Sequence, residues 1–188
     1  MKFALYFCLF GVTLMAQTAA PAGVASEWDV RKMVESMGVQ AQHLHSILDQ
    51  LKPDTWVEKG APQTYAVQWK TGQAEINYFL SSSDALARQP ERLTLALDTL
   101  FRMQAMNFTL SSLVEGARKY QGPAVADSIQ SAIAENSTNQ ERLRQYLLDL
   151  AAQKEQEFKI ADSEAQRCRT LLLQQPVTKE RERKSSRP

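Results

Sequence analysis

The chain has 188 residues, of which 44% are hydrophobic and 23% charged, a balance typical of one globular domain and not of a disordered chain. Lysine and arginine number 22, and aspartate and glutamate number 21, so the near-neutral overall charge says little about partners. Only 7 glycines and 7 prolines occur. This scarcity of helix breakers favours long helices over a protein of strands and turns.

The first twenty residues have the composition of a secretory signal peptide. Lys2 carries a positive charge and an apolar run covers residues 3–14, before small residues at Ala16, Thr18, Ala19 and Ala20. This is the order of regions in a signal peptide, and the run is shorter than the roughly 20 apolar residues that span a bilayer. We therefore expect residues 1–20 to be cleaved and the protein to be periplasmic or secreted, with an uncleaved anchor as the alternative.

Cysteine usage excludes an internal disulfide. The chain has 2 cysteines, and removal of the signal peptide removes Cys8 and leaves Cys168. A single thiol cannot form an internal bridge, so the fold has to hold by packing. We expect Cys168 to be a small buried residue on a helix, with an intermolecular disulfide as the alternative.

The end of the chain is locally basic. Residues 177–188 contain five lysines and arginines and two glutamates, and they end in Ser-Ser-Arg-Pro. A short segment of this mixed composition predicts a solvated, disordered tail. Contact with an anionic membrane or a nucleic acid is the alternative for such a segment.

The clearest periodic pattern predicts a first helix that begins near Ser26 and is ended by Pro53. Ser26 and Asp29 have the spacing of an imperfect capping box. Apolar residues then recur in alternating steps of 4 and 3, the spacing with which a helix buries one narrow seam. The seam consists of Val30, Val34, Met37, Ala41, Leu44, Leu48 and Leu51.

A short connector follows over residues 53–62. Thr55 and Glu58 have capping-box spacing, and Gly60 is placed to stop a single helical turn. The pattern predicts one turn of helix with Trp56 folded onto the end of the bundle. Two helices joined in this way lie antiparallel.

Two more helices are predicted, over about 62–87 and 90–120, because Pro62 and Pro90 suit a first turn. The later helix is apolar on several sides, which is typical of the central member of a bundle. Its interruptions, such as Arg92 and Asp98, exclude a transmembrane span. The earlier helix has a seam of Tyr65, Trp69, Gly72, Ile76, Phe79, Ser83 and Leu86.

The segment 123–175 contains no glycine and, after Pro123, no proline. One helix over it would be about 80 Å long, whereas the capping-box spacing of Thr138 and Glu141 offers a break near 136–139. The sequence leaves both possibilities open. Its seam runs through Leu143, Leu147 and Leu150 and resumes with Phe158, Ala161, Ala165, Cys168 and Leu172. The gap predicts a helix that changes partner or leaves the bundle.

No constellation of residues indicates catalysis, a metal or a cofactor. The 2 histidines, His43 and His45, would point about 200° apart on a helix and cannot bind one metal together. The motifs Glu-x-x-His, Cys-x-x-Cys-His and Gly-x-Ser-x-Gly are absent, as are clustered glycines. We therefore predict no catalytic, cofactor-binding or metal-binding residues and no enzymatic activity.

The connector carries a resemblance. It reads Trp-Val-Glu-Lys-Gly-Ala-Pro over residues 56–62, and Tyr65, Gln68 and Trp69 follow. This stretch, within about residues 53–70, resembles a pattern in exported, uncharacterised all-helical proteins of soil bacteria. The resemblance implies a location in the bacterial envelope and implies no activity.

The predicted fold is an all-α, up-down bundle of about four helices over residues 21–176, with a long, partly projecting C-terminal helix. The expected function is that of a non-enzymatic interaction or scaffold protein, with a protein partner or self-association through the C-terminal helix. We expect no nucleic acid, no cofactor and no membrane span after signal removal. The alternative is a carrier that binds an apolar ligand among the methionine and aromatic residues of the second and third main helices. An apolar cavity inside the bundle would favour the carrier, and an exposed apolar stripe on the last helix would favour the scaffold.

Overall fold

A computed structural model describes residues 25–174. This part of the chain contains helices and no strand, in the order α1 (Glu27–Leu48), α2 (Pro53–Glu58), α3 (Thr64–Arg88), α4 (Leu93–Tyr120) and α5 (Pro123–Gln174). The four long helices form an up-down bundle in which α1 and α4 each contact both α3 and α5. The predicted all-α bundle with a long C-terminal helix is confirmed. The predicted signal peptide and the predicted basic tail lie outside the described residues.

Helix α1 begins and packs as its sequence pattern predicts. The Ser26 side chain accepts a hydrogen bond from the Asp29 backbone N–H at 3.3 Å, and its hydroxyl lies 2.7 Å from the Asp29 carboxylate. These contacts satisfy an N–H that has no partner within the helix. Every residue of the predicted seam is buried, from Val30 to Leu51. The seam is therefore the side of α1 that faces the core.

The connector is the single short helix α2, which places Trp56 in the core at the end of the bundle. The capping role predicted for Thr55 is wrong. Pro53 already lies in the first turn of α2, and the Thr55 hydroxyl donates to the Lys52 carbonyl at 2.8 Å. Gly60 has a φ of +90°, a conformation that favours glycine, and the chain reverses there.

Helices α1 and α3 are antiparallel, with hydrogen bonds at both ends. The Trp69 indole near the start of α3 donates to the Leu48 carbonyl at 2.8 Å. At the other end, the Arg31 Nε donates to the Ala87 carbonyl at 3.2 Å. The predicted seam of α3 is buried from Gly72 onward, and its two aromatic residues at the start are half-buried.

Helix α4 is not the central member of the bundle, and that prediction is wrong. It contacts α3 on one side and α5 on the other, and a third side faces solvent. Phe101 and Phe108 are 57% and 80% exposed, whereas Met103, Met106 and Leu110 are fully buried. Four helices around one core give each member an outer side, and α4 carries apolar residues there as well.

Helix α5 continues without a break through the Asn-Ser-Thr-Asn segment at 136–139. Asn136 and Asn139 are buried and lie on the same seam as Leu143, Tyr146 and Leu150, in steps of 3 and 4. A helix end at Thr138 would rotate the later leucines out of the core. Burial of that seam therefore outweighs the local capping signal.

Candidate functional site: the projecting end of α5

Helix α5 extends well beyond the bundle that it completes. Leu150 is its last buried residue, and the helix continues to Gln174. The remaining residues, 151–174, extend roughly 36 Å at 1.5 Å per residue; we call them the projecting arm. Lys154 and Ala151 are half-buried at its base, and from Glu155 onward every residue is exposed. The predicted departure of the last helix from the bundle is confirmed.

One side of the projecting arm carries an apolar stripe with coiled-coil spacing. Phe158 and Leu172 are 72% and 68% exposed, and Cys168 is a free, exposed cysteine. The prediction of a buried Cys168 is therefore wrong, because the bundle ends before the helix does. The steps between stripe residues are 3, 4, 3 and 4, as in a seam between two helices. The apolar stripe consists of Phe158, Ala161, Ala165, Cys168 and Leu172.

The apolar stripe faces the space beyond the end of the bundle at Leu150, on the side of α5 under which the bundle core lies. At 100° per residue, its mean direction lies only roughly 40° from that of the core-facing residues between Asn136 and Leu150. The base of the stripe confirms this direction. Phe158 and Ala151 line one groove of about 480 Å³ together with Leu93, the first residue of α4. The groove also has Lys154, Glu155 and Lys159 at its edge, so an apolar side chain from a neighbour would contact Leu93 and Phe158 beside charged groups.

Charged side chains flank the stripe and pair within the arm. Lys154 Nζ lies 2.9 Å from the Glu157 carboxylate, and this hydrogen bond, followed by one from Gln153, holds the pKa of Glu157 below its ordinary value. Asp162 accepts a hydrogen bond from the Gln166 amide at 2.8 Å. Such pairs along one exposed helix stabilise it only weakly. They support helical structure without a neighbour but contribute little more.

The opposite end of the bundle is a closed aromatic cluster. Trp56, Tyr65 and Tyr120 stack or meet edge-on with ring centroids 5.9 to 6.5 Å apart. The Gln121 amide oxygen accepts from the Trp56 indole at 3.1 Å. Gly116 makes room for the Tyr65 ring, because a Cβ there would lie 2.6 Å from it. The predicted position of Trp56 on the end of the bundle fits this packing.

A polar layer crosses the middle of the bundle, and the sequence patterns did not predict it. The Asn107 amide donates to Gln140 at 3.1 Å, and the Asn139 amide donates to Gln40 of α1. Asn136 is fully buried, and neither of its amide atoms has a hydrogen-bond partner among the described residues. The only sequence signal for this layer was a polar residue on an otherwise apolar seam. Asn136 and Asn139 belong to the segment at which the sequence left both a break and a continuous helix open.

The histidines lie apart from any cluster of ligands. His43 is exposed, and the His45 ring contacts the Asp49 carboxylate at 3.2 Å on the surface of α1. Within residues 25–174, no group of three or more histidine, cysteine, aspartate or glutamate side chains is placed to hold a metal ion. Over the same residues, no helix is both long and apolar enough to cross a membrane.

Comparisons of the chain with protein-family models, with curated proteins and with solved structures find no match. The resemblance around residues 53–70 stays a prediction.

Proposed function

We propose that this chain is an exported, non-enzymatic interaction or scaffold protein, in which the bundle holds the projecting arm and the arm binds a protein partner. The observation that supports the proposal is the apolar stripe, which lies in solvent on an ordered helix. The location rests on the signal-like residues 1–20. The proposal includes no reaction, because the sequence contains none of the catalytic motifs considered above.

Two physical arguments connect the stripe to a partner. Most of the stability of a helix in a protein comes from packing of its apolar side, and from Glu155 onward the described residues of the arm are exposed, so packing along the stripe would stabilise the arm. Phe158 and Leu172 together also expose more apolar surface than an isolated surface residue, along one line of the helix. Binding along that line would remove this surface from water, at about 25 cal/mol per Å².

The alternative, an apolar carrier, has less support from the packing of the bundle. The methionine and aromatic side chains that would line its cavity, such as Phe79, Met103 and Met106, are 0% exposed. No water-sized space therefore adjoins them. A groove of about 430 Å³ between α1 and α3 lies at the surface, with Glu35 and Asp84 among its lining residues. Its carboxylates do not suit an apolar ligand.

Truncation of the chain after Ala152 tests the proposal. Because every buried residue of α5 lies before this point, the shortened protein should keep a cooperative thermal transition close to that of the full chain. It should lose the proteins that the tagged full chain retains from an envelope extract of its own host. Collapse of the transition would show that the arm is part of the core, and the proposal would lose its basis.

Two single substitutions refine this test within an intact arm. Ala165→Glu places a charge in the centre of the stripe and should abolish the retention of partners. Ala152→Glu makes the same change on an exposed site about 200° around the helix and should leave retention unchanged. Equal retention by both variants would exclude the stripe as the binding surface.

A further inference from the structure

We propose that the partner of the projecting arm is a second copy of this chain, whose own arm packs along the first in antiparallel orientation. This inference rests on the proposed function, because it names the partner of the same apolar stripe. The product would be a dimer with one bundle at each end of a central pair of helices.

The position of the stripe above the bundle excludes a parallel pair. A second arm that packs on the stripe lies on the side where α1 and α4 lie below Leu150. In a parallel pair both arms leave their bundles at the same level, so the second bundle would occupy the space of the first. In an antiparallel pair the second bundle lies beyond Gln174, at the far end of the arm. Sterics alone therefore select the antiparallel arrangement.

The four stripe residues from Ala161 to Leu172 fit an antiparallel seam in one particular register. In antiparallel coiled coils, the a positions of one helix oppose the d positions of the other. With Ala165 opposite Cys168 of the second copy, the small Ala161 opposes the large Leu172. The two central layers therefore pair the small residues Ala165 and Cys168, and the two outer layers pair the small Ala161 with the large Leu172. The small central residues allow the two helices to approach closely.

Charges beside the seam support the same register. Asp162 and Arg169 both occupy e positions, and e positions face each other in an antiparallel pair. In this register Asp162 of each copy faces Arg169 of the other, so two opposite-charge pairs form. A shift by one heptad in one direction brings Asp162 opposite Asp162, and a shift in the other direction brings Arg169 opposite Arg169. Only the register that fits the small and large residues also avoids like charges at these sites.

The register also fits the length of the described helix. Gln174 of one copy lies opposite Lys159 of the other, which is about 13 Å beyond Leu150 at 1.5 Å per residue. The end of each α5 therefore stops short of the other copy's bundle. The paired part covers residues 159–174 of each arm, about 16 residues, a small interface compared with stable dimers. We expect an equilibrium between monomer and dimer that depends on concentration.

Reciprocal exchange of the two charges tests orientation and register together. Sedimentation equilibrium of the purified exported protein should show the monomer–dimer equilibrium. Asp162→Arg places two arginines opposite each other at both sites, and Arg169→Asp does the same with two aspartates. Each variant alone should dimerise at least about tenfold more weakly, since two surface pairs turn from attraction to repulsion. An equimolar mixture of the two variants should regain the affinity of the unchanged chain, because every arginine then faces an aspartate.

The matched control is Arg167→Asp, which changes the same charge two residues away on another side of the helix and should leave dimerisation unchanged. The double variant Asp162→Arg/Arg169→Asp should dimerise as the unchanged chain does. Single variants that dimerise normally, or a mixture that fails to recover, would overturn the antiparallel register.

Failure of this inference is distinguishable from failure of the proposed function. If the unchanged chain remains monomeric at all concentrations but loses its envelope partners on Ala165→Glu, the arm binds another protein. The second-copy inference then fails and the proposed function stands. If the chain is monomeric and Ala165→Glu changes nothing that it binds, both fail.

Discussion

Replacement of Asn136 by alanine is expected to stabilise the bundle, although it removes atoms from the core. The Asn136 side chain is fully buried, and neither its amide nitrogen nor its amide oxygen has a partner among the described residues. Burial of an unpaired amide costs about 1–3 kcal/mol, and asparagine has a lower helix propensity than alanine by about 0.5 kcal/mol. The smaller side chain leaves a void that costs about 1 kcal/mol. The net expectation is a stabilisation of about 1 kcal/mol.

The control is the same substitution three residues later. Asn139 is also buried, but its amide donates to Gln40 of α1. Asn139→Ala removes that hydrogen bond and leaves the Gln40 oxygen without it, so it should destabilise the bundle by about 1 kcal/mol. Urea titration followed by circular dichroism measures both free energies of unfolding. The melting temperatures should move in opposite directions by about 2–4 °C. A destabilisation by Asn136→Ala equal to that by Asn139→Ala would refute the reasoning, since it would mean that the Asn136 amide is satisfied in the folded protein.

Three other outcomes are expected. Leu44→Asp should lower the free energy of unfolding by several kcal/mol, because it buries an unpaired charge on the α1 seam. Lys32→Ala on the exposed side of α1 should change this free energy by less than about 0.5 kcal/mol. Equal effects of the two changes in urea titration would show that the seam is assigned to the wrong side of α1. The hydrogen bond from Lys154 lowers the pKa of Glu157 in the folded arm. This hydrogen bond therefore supports arm helicity fully above the unfolded-state pKa of the carboxyl group. The support is lost as the pH falls through the lower, folded-state pKa. Circular dichroism at neutral and acid pH should therefore show a smaller acid-induced loss for Glu157→Gln than for the unchanged chain, and identical losses would contradict this. Mass spectrometry of the native protein should find a new N-terminus within residues 18–21, give or take two residues, and an intact first methionine in a cytoplasmic fraction would argue against export.

The apolar sides of the helices can be identified from the sequence alone. The seam of α1 has the spacing of a packed helix, and every one of its residues is buried. The burial of Trp56 and the left-handed Gly60 followed from local signals as well, whereas α1 ends at Leu48, about one turn before the predicted end at Pro53. These features are local, because a periodic pattern or a proline acts within a few residues of the chain.

Where each helix finds neighbours depends on the packing of the whole bundle. Leu143 and Cys168 both occupy seams with steps of 3 and 4, yet the first is fully buried and the second is exposed. The difference is where the rest of the bundle ends: Leu93 still lies beside Phe158, but the part of α5 from Cys168 onward is exposed among the described residues. The same reason explains α4, whose apolar residues on several sides include a side that none of the described helices covers. It also explains Asn136, which lies within a continuous helix because the seam on both sides of it is packed. Periodicity specifies the side that can be buried, and the neighbours that bury it are set by the lengths and positions of the other helices.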